Sequence, residues 1–586
     1  MPAESQKFYK NPTLWVLFFI SIFIFNIINK SPIDCASSDS RWTLLASQSL
    51  IENGTMRLDK YADLKGGYTI RRGDHLGYAI EKKNGHLYNF FPLGSSLSSL
   101  PFVWLETQVS HKLMKIHSQN KIVQKRIAAT VAVGIFLLLY LIASLYLATS
   151  WSIVVALGFW SATSLSSILG QGLWSHTFAI FYALLSFYFM LKIVLQNRDI
   201  YWIPLGVTLF MAYLSRPTFS LLSITVIAFL FFNRKKIIAL KTALVVFALL
   251  GLFVLYSMSE FGQLLPSYYM PKRLSSESFW IALYANTLSP SRGLFVFSPF
   301  LLLFFIAFKE SYRMFQQNKT LLIILGWVVL HSIIISKFPH WSGGWCYGSR
   351  FMSDILPAIY LLFVILLLQI YQHGSTLKKR WTTIFVLISV TFSITIHIPK
   401  GLYEKSSAID WHRFPSKSND WFFDWEYPQF LHTEQRQKSR LLEYKLSNLE
   451  PLATQRSIRF DNKNMILRGW VESNKVASWS LFKKVTIDFT LDTDTPLKGI
   501  LRLKIGTLDR QEIGLYINSH PLEKRVINSW LVAPLNSWDA DLTYRFDPNI
   551  LNPKGNNRLT FKLPNAHKVK RDRGDFGIAL KSLEVE

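Results

Sequence analysis

A polytopic α-helical membrane domain followed by a C-terminal all-β jelly-roll or sandwich domain is the architecture that this sequence predicts. Three observations predict it. Half of the 586 residues are hydrophobic and only 17% are charged, where soluble domains carry about 25% charged residues. Long apolar runs nearly free of charge recur between residues 13 and 398. From about residue 456 they give way to short alternating runs separated by Asn, Asp, Pro and Gly, the pattern of strands joined by tight turns.

Crossing a bilayer takes about 20 apolar residues whose backbone groups are satisfied within the segment. The runs 13–29, 127–149, 151–169, 177–191, 200–214, 217–233, 242–257, 294–308, 320–336, 353–371 and 381–398 meet this description, so about eleven spans are expected. The first has a long apolar core and no small-residue cleavage site after Lys30, unlike a cleaved signal peptide. With a cytoplasmic N-terminus, the short loops on that side hold 14 Lys and Arg against three acids, Glu4, Asp199 and Glu310. This is the bias of cytoplasmic loops. A twelfth span at 93–109 would place Arg234, Lys235 and Lys236 outside, so Pro92–Gln108 reads as a helix lying in the membrane interface.

The expected organisation is a membrane domain over 1–399, with a first outer loop at 30–126 carrying interfacial helices. A polar linker or cap follows at 400–455, then a β-sandwich at 456–586 outside the cytoplasm. The net charge of +27 would suit nucleic acid, but the basic residues flank apolar segments, where they set membrane orientation. No nucleic-acid partner is expected. Two cysteines exclude a disulfide scaffold and a thiolate zinc cluster. Cys35 and Cys346 both fall on the outer side, as a disulfide or as two buried thiols. No Walker A loop, dinucleotide-binding glycine pattern, zinc-protease motif or nucleophile elbow occurs, which argues against an ATP-driven pump, a dinucleotide enzyme and a familiar protease. Asp492-Thr493-Asp494 imitates a nucleotide-sugar motif, but between two strands it reads as a hairpin turn.

Candidate chemistry lies in the outer segments. Asp39 follows the first span by ten residues and precedes an amphipathic stretch, Trp42–Ile51. Its simplest role is an N-cap of that helix; its sharper role is a general base held at the membrane surface. The two can coexist. Arg216, Arg292 and Arg350 fall at outer span ends, against the positive-inside preference. Each could snorkel to headgroups, but three on one face favour an anionic ligand such as a phosphate. His176 and His340 could orient an acceptor, bind a metal or be satisfied by backbone. Trp341, Trp345 and Tyr347 could stack on a sugar or belong to the interfacial aromatic belt.

Several segments in order carry a resemblance. Asp39, then Tyr88-Asn89-Phe90-Phe91-Pro92-Leu93-Gly94-Ser95-Ser96-Leu97, Leu214-Ser215-Arg216-Pro217-Thr218, Ser291-Arg292-Gly293-Leu294-Phe295-Val296-Phe297-Ser298-Pro299 and Trp341-Ser342-Gly343-Gly344-Trp345-Cys346-Tyr347-Gly348-Ser349-Arg350-Phe351 resemble the GT-C class of glycosyltransferases. That class includes the protein O-mannosyltransferases and the lipid A aminoarabinose transferases; the likeness covers roughly residues 10–400 and is nearest to bacterial, uncharacterised members.

The resemblance implies a bacterial inner-membrane enzyme that moves a sugar from a polyprenyl-phosphate carrier to a hydroxyl of a glycan, lipid or protein at the outer face, in building the cell envelope. Asp39 then matches the catalytic Asp of the first loop. Where the lipid A transferases have acidic residues, this chain has His176 and Phe91, which leaves a divalent metal and the donor sugar open. On residue chemistry the transfer would invert the anomeric centre, with Asp39 as base and Arg216, Arg292 and Arg350 on the departing phosphate. Two rivals stand beside it: a ligase using a polyprenyl-diphosphate glycan, and a transporter or flippase of lipid-linked sugars. A transporter calls for repeated halves with broken midplane helices, and no repeat is evident.

Overall fold

The computed structural model describes residues 12–586 except 63–69, 73–74, 111–116, 271–273, 275–277, 414–419 and 438–457, together with short stretches of the C-terminal part (460–464, 469, 474–476, 481, 492, 495, 508–510, 528–539, 569–574 and 577). The chain divides into two compact units, Met1–Glu434 and Gln435–Glu586. Residues 400–413 and 420–434, from the segment read as a linker or a cap over the membrane domain, fall within the first unit. Ser31 Oγ donates to the Leu402 carbonyl at 2.5 Å, and Gln429 Nε2 to the Cys346 carbonyl at 3.0 Å.

The first unit is a helical membrane domain. Among the described residues, six helices are long and apolar enough to cross a membrane: Pro12–Asn29, Asn120–Ala143, Ser175–Gln196, Lys236–Phe261, Phe351–His373 and Thr376–Tyr403. Phe308–Gln317 and Leu321–Ser336 pass the same test together but bend by 119° at their junction. Shorter apolar helices occupy Thr149–Ser161, Asp199–Ser215, Pro217–Phe232 and Phe279–Leu288. The chain is thus a multi-pass membrane protein.

The segment 294–308, expected as one span, is broken into Leu294–Phe297, a 3-10 turn at Pro299–Leu302 and Leu303–Ile306. Pro299 has no N–H to continue the ladder, and it pushes Ser298 out of the helical region, to φ −136° and ψ 65°. The interfacial helix expected at Pro92–Gln108 runs over Leu93–Ser110. A Cβ at Gly94 would lie 2.3 Å from the Ser215 backbone nitrogen. The glycine therefore lets this helix touch the end of Trp202–Ser215, immediately before Arg216.

Phe351–His373 is the central element, with 89% of its apolar window buried. It packs in one continuous core with His117–Ala143 and Ser175–Gln196, through Ile135, Phe136, Phe187, Tyr360 and Phe363. Side chains on all faces of a helix are apolar when all faces are covered, and this helix shows that pattern.

The second unit is, among the described residues, an antiparallel β-sandwich of two six-stranded sheets. One runs Ala540–Arg545, Ile500–Thr507, Ile578–Val585, Ala477–Ser480, Trp470–Ser473, with Ile458–Arg459 also on Ile578–Val585. The other runs His520–Pro521, Gln511–Ile517, Asn556–Lys562, Lys484–Thr490, Met465–Arg468, with Arg525–Ile527 also on Gln511–Ile517. Alternate residues of both sheets form one core: Val485, Ile487 and Phe489 from the second, Leu501, Leu503 and Ile505 from the first. This is the period of two that a strand imposes. The Asp492-Thr493-Asp494 motif falls partly outside the described residues.

Candidate active site

Asp39 lies in a turn that ends where the helix Thr43–Asn53 begins. It does not cap that helix. The cap position is Trp42, with no side-chain hydrogen bond, because the extra turn at 38–42 holds Asp39 away from the free N–H groups. Its carboxylate instead accepts from Arg350 Nη2 at Oδ2, 2.5 Å, and from the Tyr78 hydroxyl at Oδ1, 2.9 Å. The side chain keeps 24% of its surface exposed. Burial on its own would raise the carboxyl, but the Arg350 charge and the hydrogen bonds from Arg350 and Tyr78 outweigh it and hold the group below its ordinary value.

Arg350 comes from 311 residues further along the chain, just before Phe351–His373. Its guanidinium carbon sits 3.5 Å from the Trp174 ring centroid, and Nη1 donates to the Gly343 carbonyl at 2.9 Å. A cation flat against an aromatic face gains from the ring quadrupole and is held in plane. Among the described residues, its Nε is buried with no acceptor. The loop below it turns through Gly343 and Gly344, both at positive φ (76° and 63°), where L side chains are disfavoured.

These groups line a cleft of about 460 Å³. Its walls are Ser38, Asp39, Tyr78, Phe91, Trp174, Arg216, Tyr268, Phe338, His340, Gly343, Gly344, Trp345, Arg350 and Phe351. Five of the nine residues singled out in the sequence meet there: Asp39, Arg216, Arg350, His340 and Trp345. Trp345 is 63% exposed and lies parallel to the His412 ring, 6.1 Å between centroids.

The other four lie elsewhere. Arg292 is buried and gives its N–H groups to the carbonyls of Ser342, Ser291 and Gly344 and to Gln429 Oε1. It braces the loop 342–344 from behind rather than entering the cleft. Trp341 packs against Trp411 and Phe422, and Tyr347 is buried with its hydroxyl on the Ile396 carbonyl at 2.6 Å. Both are parts of the core of this end of the helical domain. His176 lies fully buried behind the cleft wall, with Nδ1 2.7 Å from Asp354 Oδ1.

Asp354 escaped the sequence analysis. It is fully buried; its Oδ2 accepts from Arg216 Nε, and His331 Nε2 lies 3.5 Å from the same oxygen. With Arg216 Nη1 3.4 Å from Ser175 Oγ, the guanidinium is held along one edge while Arg216 itself faces the cleft. A signal existed: an acid and a histidine inside apolar spans are costly there and mark function by default. Tyr78 also escaped: it lies in the turn between the short strands His75–Leu76 and Ile80–Lys83, and left no signal. No group of three or more His, Cys, Asp or Glu residues suited to a metal occurs among the described residues. Cys35 and Cys346 are both thiols.

No family model matches this chain, and no curated protein does. Among solved structures it aligns with the single-particle cryo-EM structure of the arabinosyltransferase EmbB from Mycobacterium smegmatis. The TM-score is 0.36 and the identity 10%, over 100% of this chain and 65% of that one. The functional reading below therefore rests on the cleft.

Proposed function

We propose that the protein is an inverting glycosyltransferase of the GT-C type. It takes a sugar from a polyprenyl-phosphate carrier and attaches it to a hydroxyl of a glycan, lipid or protein at the outer face of a bacterial inner membrane, with the N-terminus cytoplasmic. The observation that carries this reading is one cleft holding a carboxylate gripped by a guanidinium, a second guanidinium and an exposed tryptophan. A base, an anion clamp and a stacking surface are what hydroxyl attack on a glycosyl phosphate needs.

Asp39 takes the proton of the acceptor hydroxyl. The oxygen forms its bond to the anomeric carbon from the face opposite the phosphate, the bond from that carbon to the phosphate oxygen breaks, and its electron pair leaves with the polyprenyl phosphate. The leaving phosphate gains one negative charge, which Arg350 and Arg216 stabilise. Arg guanidinium forks match phosphate oxygens in geometry and charge. Asp354 is a positioning residue here: its grip on Nε turns the rest of the Arg216 fork outward.

The test is transfer of radiolabelled sugar from synthetic polyprenyl-phosphate sugars, in membranes carrying wild type or Asp39→Asn. Turnover that falls by about 10²–10⁴ in the variant, with the protein still folded, supports the reading. Equal turnover removes Asp39 from the chemistry. Carrier movement across vesicles without transfer would favour a flippase.

A further inference from the structure

The turn that carries Tyr78 is built with unusual care for a surface loop. It runs from Gly77 to Ile80, closed by Ile80 N–H donating to the Gly77 carbonyl at 3.1 Å. Ala79, at its third position, has φ 61°, a left-handed conformation that is unfavourable for an alanine and usually left to glycine. Such strain persists where the surroundings over-determine the backbone. They do so here. Buried Trp42 donates its indole N–H to the Tyr78 carbonyl at 2.6 Å, and the Phe90 N–H donates to the Ala79 carbonyl at 2.8 Å.

The pinned backbone delivers an exposed side chain to one atom. The Tyr78 ring is 57% exposed, yet its hydroxyl lies 2.9 Å from Asp39 Oδ1, opposite the oxygen that Arg350 holds. An exposed tyrosine with so little packing gains nothing for the core by being held this way. The charged and titratable groups facing Asp39 are Tyr78 and Arg350, with Arg216, Tyr268 and His340 along the cleft wall and His176 acting on it from behind that wall.

We propose that Tyr78 is the positioning residue of Asp39: from a corner pinned by Trp42 it holds Oδ1, so that the carboxylate stands fixed between two donors with its remaining lone pairs turned to the acceptor. This rests on the glycosyltransferase reading for its purpose, but the coupling of the two residues stands or falls separately. A hydrogen bond to the ionised form favours that form, so Tyr78 also helps keep Asp39 charged. The phenol holds its proton more tightly beside the carboxylate, as burial and the Asp39 charge both require.

The experiment uses the full chain in nanodiscs with Tyr78→Phe, which keeps the ring of an exposed residue. The ionisation of Asp39 is followed by infrared difference spectroscopy of its carboxyl band, assigned by subtracting Asp39→Asn, alongside the pH profile of transfer. The expected result is an upward shift of the Asp39 titration by about half a pH unit or more, with the acid limb of kcat/KM moving the same way and kcat falling several-fold. An unchanged infrared titration overturns the proposal. A shifted titration in a protein whose Asp39→Asn variant still transfers sugar would leave the Tyr78 coupling intact and overturn the role of Asp39 as base.

Discussion

Arg350 and Asp39, 311 residues apart in sequence, form an ion pair with Nη2 2.5 Å from Oδ2, and the guanidinium carbon lies over the Trp174 ring, 3.5 Å from its centroid. The pair joins the two halves of the proposed chemistry, since one partner would bind the leaving phosphate and the other would take the acceptor proton. Bringing a phosphate to Arg350 therefore changes the field at Asp39, and the two substrates are expected to bind interdependently.

Replacing Arg350 by Gln separates these roles. The carboxylate, still largely buried, loses the charge that holds it low, so burial dominates and its pKa rises. In wild type Asp39 stays ionised below its ordinary value of about 3.9, and kcat/KM should hold from neutral pH into mild acid, then fall as pH drops through the depressed folded value. In the variant that acid limb should move to higher pH, and the donor KM should rise. The same sign applies to stability: the Asp39 contribution is present above its unfolded pKa and is lost as pH falls through the folded one. A pH series of initial rates with varied donor measures both effects.

Asp354→Asn tests the positioning of Arg216. The carboxylate is fully buried and Arg216 nearly so, and removing one charge of a buried pair typically costs about 3–5 kcal/mol. The expected outcome is a lowered thermal midpoint in detergent together with a donor KM raised about tenfold or more, because a neutral amide loses the charge-assisted bond that holds the Arg216 fork in one orientation. Wild-type donor KM in a protein of lowered stability would leave Asp354 a purely structural residue.

Two tryptophans four residues apart should behave in opposite ways. Trp345 is exposed at the cleft, whereas Trp341 is buried among Trp411 and Phe422. Trp345→Ala should leave the thermal midpoint nearly unchanged and weaken substrate binding by about 0.5–1.5 kcal/mol, read as a rise in KM. Trp341→Ala should destabilise the fold by about 3–5 kcal/mol.

Arg292→Gln offers a contrast with Arg350. Its N–H groups end on three carbonyls and Gln429, so its loss should loosen the loop 342–344 and lower stability. Each bond from a charged donor contributes about 1.5–3 kcal/mol. Once the protein is folded at low temperature, the acid limb of kcat/KM should stay where wild type has it. A shift equal to that of the Arg350 variant would place Arg292 in the chemistry after all.

Much of this protein is legible in its sequence, for definite physical reasons. Apolar length alone marks the long spans, because a membrane offers no partner to a free backbone group. The strands at 484–490, 500–507, 511–517 and 556–562 fall on runs that alternate with period two, since one face of each meets the other sheet. Arg216, Arg292 and Arg350 stood out because a cation at an outer span end needs a reason to be there, and Asp39 because it precedes an amphipathic stretch in the first outer loop.

Other features were settled only by the tertiary structure. Whether an aromatic in the 341–347 segment faces a substrate or the core is decided by what packs against the turn through Gly343 and Gly344, and Trp411, Trp421, Phe422 and Gln429 supply that surface from beyond the last span. Arg292 and Arg350 look alike in sequence, but one meets carbonyls and the other a carboxylate. Asp39 looked like a helix cap until Arg350 and Tyr78, distant in the chain, closed on its two oxygens. Spans and strands follow from local pattern because the solvent on each side imposes it; the partners of a buried charge follow from which distant segments meet.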